Sequence, residues 1–252
     1  MNEPFISVII PAYKESKRIG QTLLSLDAYF RYKPYIHEII VVNDGSPDDT
    51  SRVVLEYQSK VRNLIVINND MNKGKGYAVK CGMLLARGKY RLFMDADNSV
   101  HIETLDAFMK DIQAGSEVVI GSIALNSSVV KEGNGWHRRV FGSVSKWLIR
   151  MLATPGIYDT QRGFKLFTAR AAEIVFGLQT IDRFGFDIEL LVIAMRNRLT
   201  VKEVPVAFNN PEGSTVHLTD YFRTFVELFK IVANKLLRRY DLPRARYASS
   251  LR

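Results

Sequence analysis

The alternation of short, branched apolar runs with helix-compatible stretches constrains this chain more than any other feature of its sequence. Runs at Ile6–Pro11, Ile39–Asn43, Leu64–Asn68, Tyr90–Asp95 and Glu117–Gly121 each end in a polar turn. Helix-compatible stretches near 18–30, 48–62, 75–87 and 102–113 lie between them. Strand and helix at this pitch build βαβ units and hence an α/β fold with a mainly parallel sheet. Runs such as Ile39-Ile40-Val41-Val42 are almost continuously apolar, as strands covered by helices on both faces must be. In such a sheet, ligands bind beyond the carboxyl ends of the strands. The turns at those ends are Tyr13-Lys14-Glu15, Asn43-Asp44-Gly45-Ser46, Asn68-Asn69-Asp70, Asp95-Ala96-Asp97 and Gly121-Ser122. A fold needs turns there, but it does not need four acidic ones.

After about residue 125 the pattern changes. A Gly- and Ser-rich stretch, 126–135, precedes a helical pattern from Trp136 to Leu152. A strand-like Gly163–Phe167, a helix at Phe186–Arg196, a strand at Thr200–Phe208 and a long helix from Thr219 to about Arg239 follow. We divide the chain into a domain over 1–216 and a basic amphipathic helix and tail over 217–252, packed on that domain or on a membrane.

Asp95 and Asp97 end an apolar strand at i and i+2, so both carboxylates leave it on one side and together suit a hard divalent cation. Magnesium commonly takes one or two carboxylates and completes its shell with phosphate oxygens and water. The competing reading makes Asp97 or Ser99 the N-cap of the 102–113 helix. Asp44 is placed to accept hydrogen bonds from a base or ribose, Gly45 permits a tight turn, and Ser46 or Asp48 suits a helix cap. In Asn72-Lys73-Gly74-Lys75-Gly76, two glycines let the backbone approach a ligand and two lysines favour phosphate. The segment lacks the third glycine of a dinucleotide fingerprint and is no P-loop; a plain surface turn also fits. His37, His101, His137 and His217 have no ligand spacing. Cys81, the single cysteine, sits in an apolar helical context, which leaves no intrachain disulfide and suits a reducing compartment.

The segments ISVIIPAYKE, IIVVNDGSPDDT, NKGKGYAVKCG and LFMDAD, in that order, resemble the family 2 glycosyltransferases of GT-A (Rossmann-like) fold. The later DTQRGFKLF, FDIELL, EVPV and EGS segments narrow the resemblance to dolichyl-phosphate β-glucosyltransferases and related polyprenyl-phosphate glycosyltransferases. It spans roughly residues 5 to 216.

The resemblance implies an inverting transfer of a hexose, glucose from UDP-glucose, to a polyprenyl or dolichyl phosphate. It implies that Pro11, Tyr13, Glu15, Asp44, Lys75 and Asp95 hold the nucleotide sugar. Asp97 would hold Mg2+ or Mn2+ on the diphosphate. Asp187 and Asp95 are the catalytic candidates: Asp187 and Glu189 do not share a helix face, and Asp187 is the one favoured for the site. A cap at Asp187 with a salt bridge at Glu189 is the structural alternative. Two departures stand out. Relatives carry an arginine after Gly-Ser where this chain has Ile123, so phosphate contact falls to Arg138, Arg139 or Arg162. Mannosyl-type relatives carry glutamine where this chain has Ser99, which weakens a GDP-mannose alternative.

The net charge is +9, and from Tyr221 onward eight Lys/Arg face only Glu227 and Asp241. Val140, Phe141, Val144, Trp147, Leu148, Met151 and Leu152 recur at helical spacing beside Arg138, Arg139, Lys146 and Arg150. Phe222, Phe225, Val226, Phe229, Val232 and Leu236 repeat the design beside Arg223, Lys230, Lys235, Arg238 and Arg239. Basic amphipathic helices with aromatics suit an anionic membrane surface, although packing on the sheet or a second subunit is the commoner fate of such stripes. No run approaches the roughly 20 apolar residues needed to span a bilayer, and the N-terminus reads as a strand, not a signal peptide. The expectation is a cytoplasmic enzyme bound peripherally to the cytoplasmic face of a membrane, with homo-oligomerisation left open. Nucleic acid is set aside as a partner, because the strand-end carboxylates repel phosphate unless a metal intervenes and the basic residues accompany apolar stripes rather than stacked aromatics. A soluble family 2 transferase acting on a saccharide hydroxyl is the rival enzyme, and it would need a true general base.

Overall fold

A computed structural model of the chain describes residues 3–125, 147–208 and 218–242, without the side chains of 218–222 and 224. One seven-stranded sheet runs through it in the order β3-β2-β1-β4-β6-β5-β7. The strands are β1 Ile6–Ala12, β2 His37–Asn43, β3 Leu64–Asn68, β4 Tyr90–Met94, β5 Val118–Ser122, β6 Phe164–Thr168 and β7 Val201–Pro205. All pairings are parallel except those of β6, which lies antiparallel between β4 and β5.

The helices are α1 Ile19–Phe30, α2 Thr50–Tyr57, α3 Lys75–Leu85, α4 Leu105–Gln113, α5 Ala169–Leu178, α6 Phe186–Arg196 and α7 Leu218–Leu236. Residues 147–152 are helical as well, the described end of the helix expected from Trp136. Helix α5 has no counterpart among the expected elements, and α2 ends at Tyr57, short of the expected 62.

Every residue of β1, β2, β4 and β5 is buried, because helices cover both faces. Alternate side chains divide between two cores. Ile9, Ile40, Phe93 and Phe167 pack with α3, α5 and α6, and Val8, Val41, Leu92 and Phe164 pack with α1 and α4. Proline usually weakens a central strand by removing a ladder donor. Pro11 is tolerated because β1 pairs with β4 only from Ile6 to Ile9, which leaves one neighbour, β2, at that level. Beyond Ile9 the strands β1 and β4 part. Their carboxyl ends flank the point where strand order reverses, which is where α/β sheets form their binding crevice.

Candidate active site

The β1 and β2 ends are tied into one floor. The Asp44 amide donates to the Ala12 carbonyl at 2.9 Å, the Lys14 amide to Ser46 Oγ at 3.1 Å, and the Glu15 amide to Thr50 Oγ1 at 2.8 Å. Asp48 Oδ1 accepts from the Thr50 amide and hydroxyl, which steadies the start of α2. Lys14 adopts φ 58°, a left-handed turn that brings Tyr13 to the surface beside it. Pro11 is buried at the base of this floor.

Asp44 is buried, and its carboxylate accepts from Asn69 Nδ2 at 2.9 Å, from the Lys73 amide at 3.1 Å and from the Gly74 amide at 2.7 Å. It therefore shapes the Asn-Lys-Gly loop from beneath. Gly45 has φ 63°, and a side chain there would press on the Met71 backbone, so this turn requires glycine.

The loop delivers Lys75, the first residue of α3, to Asp95. Lys75 Nζ lies 2.6 Å from Asp95 Oδ1. Burial disfavours the Lys75 charge, but Asp95, Asp187 and Asp97 outweigh it and hold the ammonium above its ordinary pKa. On the other side of Asp95, Gly163 donates no side chain. A Cβ there would fall 2.1 Å from Asp95 Oδ2, while the Asp95 amide donates to the Gly163 carbonyl at 3.1 Å.

Asp97 is half-buried, and its Oδ1 accepts from the Ser99 amide at 3.0 Å. Neither Asp97 nor Ser99 caps the following helices, whose N-cap positions are His101 and Thr104, so the competing cap reading does not hold. The turn between the two aspartates is anchored by the buried Thr22 hydroxyl, which donates to the Ala96 carbonyl at 2.6 Å. Glu15 is paired with Arg18 at 2.8 Å. Its carboxyl is pushed above the usual value first by burial, against Arg18, and further by Asp97 and Asp95 across the crevice.

Asp187 lies in the first turn of α6, where the helix dipole favours a carboxylate. It is buried and accepts a hydrogen bond from Lys165 Nζ, and that lysine also donates to the Arg162 carbonyl at 2.6 Å. Burial raises the Asp187 pKa, with Lys165 and Lys75 pulling against it. Lys75 and Lys165 both stand over the Phe93 ring, at 5.8 Å and 5.2 Å from its centroid. Two carboxylates and two ammonium groups thus gather around one aromatic floor where β4, β6, α3 and α6 meet.

Arg162 precedes Gly163 and borders this cluster, since its carbonyl accepts from Lys165. Its Nε donates to Asp159 Oδ2 at 3.0 Å, the same oxygen accepts from the Ile123 amide at 3.2 Å, and the guanidinium stacks on Phe208 at 4.5 Å. An arginine therefore stands directly beside the Gly-Ser-Ile turn. Arg138 and Arg139 lie outside the described residues. Lys165, Thr22 and Asp159 were not among the expected site residues. Cys81 packs partly buried against the core.

The mainly parallel sheet, with acidic strand ends and lysines over them, agrees with the GT-A fold expected of a family 2 glycosyltransferase. The chain belongs to glycosyl transferase family 2: the model of that family matches residues 7–172. It is 38% identical to the dolichyl-phosphate beta-glucosyltransferase ALG5D of Trichomonas vaginalis, over 90% of this chain and 72% of that one. To the dolichyl-phosphate beta-glucosyltransferase of Homo sapiens it is 32% identical, over 83% of this chain and 68% of that one. Among solved structures, glucosyl-3-phosphoglycerate synthase from Mycobacterium tuberculosis in complex with UDP shares the fold. The TM-score is 0.67 at 18% identity, covering 95% of this chain and 81% of that one. S. aureus TarS residues 1–349 follow at 0.59 and 21%, covering 98% and 69%.

Proposed function

We propose that the enzyme transfers glucose from UDP-glucose to a dolichyl or other polyprenyl phosphate, with inversion at the anomeric carbon. The observation that carries the reading is the similarity to dolichyl-phosphate beta-glucosyltransferases over 83–91% of the chain, joined to the gathering of Lys75, Asp95 and Asp187 at one crevice. In the reaction, an oxygen of the lipid phosphate bonds to the anomeric carbon as the bond from that carbon to the UDP oxygen breaks on the opposite face. The second pKa of a phosphate is about 6, so the acceptor is anionic at neutral pH and needs no strong base. Asp187 then orients the sugar or acceptor, and its partner Lys165 keeps a carboxylate in that buried place. Pro11, Tyr13, Glu15, Asp44 and Lys75 line or shape the donor side, and Arg162 offers positive charge to a phosphate at the rim.

The residues present fit a divalent cation. Among the described residues no three His, Cys, Asp or Glu side chains gather as a ligand set, but magnesium and manganese sites on nucleotide diphosphates need only one or two carboxylates. Asp97 would hold the ion, with Asp95 beside it. Such an ion, seen as Mn2+ with UDP-glucose in the M. tuberculosis synthase, neutralises charge on the departing diphosphate. Calorimetry with UDP and with GDP in the presence of manganese should show tighter binding of UDP. A preference for GDP would favour a mannosyl donor instead.

Membrane association belongs to the same proposal. No helix among the described residues is long and apolar enough to cross a bilayer. Helix α7 packs inward through Leu228, Ile231 and Asn234, leaving Phe225, Val226, Phe229 and Leu236 exposed beside Arg223 and Lys230. Trp147 and Met151 are exposed on the neighbouring helix, which Lys235 ties to α7 by donating to the Leu152 carbonyl at 3.2 Å. Insertion of two aromatics contributes about 3 kcal/mol, and each nearby Lys or Arg adds about 1 kcal/mol that salt screens. Vesicles containing anionic lipid should therefore retain the protein at low salt and release it at high salt. Phe225→Ser with Phe229→Ser should reduce retention about 100-fold. Equal sedimentation of variant and wild type would show that this face meets protein.

A further inference from the structure

Helix α7 is bonded at its middle and near its C-terminal end to the segment that leads into Asp187. At the middle, Glu227 Oε2 accepts from the amide of Gly185, the N-cap of α6, at 2.7 Å. Near the C-terminal end lies a polar cluster built on the buried Glu189, Asn234 and Tyr240. The Glu189 carboxylate accepts from Tyr240 Oη at 2.7 Å, from Thr180 Oγ1 at 2.7 Å, and from the amides of Thr180 and Ile181 at 3.0 and 2.8 Å. Asn234 of α7 donates to Tyr240 Oη at 3.1 Å and to Thr180 Oγ1 at 3.3 Å.

The segment held in this way, 179–185, presses on the glycine–lysine loop. Gln179 Nε2 donates to the Gly76 carbonyl at 3.0 Å and to the Ile181 carbonyl at 2.8 Å. The Tyr77 amide donates to the Asp182 carbonyl at 3.0 Å, and Lys80 Nζ to the Gln179 carbonyl at 2.8 Å. Side chains at Gly74 and Gly76 would strike the Asp182 and Ile181 carbonyls, so the loop and the segment touch backbone to backbone on either side of Lys75.

A buried carboxylate is stable only when its oxygens are satisfied. Glu189 draws its donors from the 179–185 segment and from Tyr240, beyond α7. We infer that Glu189 and Tyr240 are positioning residues: their bond lets the C-terminal helix set the 179–185 segment, and that segment places Lys75 and Asp187 opposite each other. On this account the chain beyond 217 is a working part of the catalytic domain. The inference rests on the proposed roles of Lys75 and Asp187 for its kinetic arm alone.

Tyr240→Phe removes one hydroxyl and keeps the ring, and Glu189→Gln serves as a second variant. Hydrogen exchange on the full chain without ligands reads the coupling. A hydrogen bond to a charged group is lost, so the Tyr77 amide, which bonds to the Asp182 carbonyl, as well as amides 180 and 181, should exchange about ten-fold faster in Tyr240→Phe. With UDP-glucose, manganese and a short polyprenyl phosphate, kcat should fall about ten-fold, with KM for UDP-glucose changed much less. Faster exchange confined to 180 and 181, or an unchanged kcat below the melting temperature, would overturn the inference and leave a local staple. If the wild type itself transfers no glucose, the functional reading fails, and exchange at the Tyr77 amide still decides the coupling.

Discussion

Asp97→Asn is expected to lower turnover by about a thousandfold while leaving the fold intact. The side chain accepts a hydrogen bond from the Ser99 amide, and an asparagine oxygen can accept that bond as well. The turn that carries it is held independently, by Thr22 on the Ala96 carbonyl and by Asp95 against Gly163. What the amide cannot do is supply the negative charge that fixes a divalent cation on the donor. Charge stabilisation of a leaving group by a bound cation contributes several kcal/mol, and about 4 kcal/mol corresponds to that thousandfold. Steady-state rates across a manganese titration, with unfolding curves for both proteins, check the expectation. A variant with near-normal turnover, or a wild type indifferent to EDTA, would remove the metal from the account.

Lys165→Met should destabilise the protein by about 3–5 kcal/mol, the usual result of removing one partner from a buried ion pair. Lys165 has no exposure, and β6 places it between Phe93 of β4 and Ile120 of β5. Its ammonium bonds only inward, to Asp187 and to the Arg162 carbonyl. Methionine fills a similar volume but leaves the Asp187 carboxylate buried with Lys75 as its remaining cationic neighbour. Adding Asp187→Leu to Lys165→Met should recover much of the stability, because replacing both charges by apolar groups removes the desolvation penalty. Activity should be lost in both. Urea unfolding of the single and double variants measures this directly, and a wild-type midpoint for Lys165→Met would contradict the pairing.

The difference between these two residues shows what the sequence can carry. Asp95 and Asp97 were legible because a strand buried on both faces ends abruptly in charge, and that contrast is local. Lys165 was not. In Gly-Phe-Lys-Leu-Phe a lysine between apolar neighbours reads as the outward face of a half-exposed strand. The face that Lys165 occupies is closed by Phe93 and by α6, whose Asp187 it meets, and that is a tertiary fact. The opposite directions of Asp187 and Glu189 were legible from helical spacing: one meets Lys165, the other Tyr240. The identity of Tyr240 as a partner was hidden by 51 residues of separation. Helix α5 was missed for a different reason. Its buried side is built partly from Ala171 and Ala172, whose small side chains mark no strong apolar stripe. On α7, Phe225, Val226, Phe229 and Leu236 of the expected apolar stripe are exposed, while Val232 packs on the core and Leu228, Ile231 and the polar Asn234 face the protein.

The purified full chain, manganese, UDP-glucose and a short dolichyl phosphate should yield a lipid whose mass rises by one hexose residue, with one UDP released for each lipid modified. Nuclear magnetic resonance of that product should show a β-linked glucose 1-phosphate ester. Release of UDP with the lipid mass unchanged, or a mannosylated lipid formed preferentially from GDP-mannose, would contradict the account.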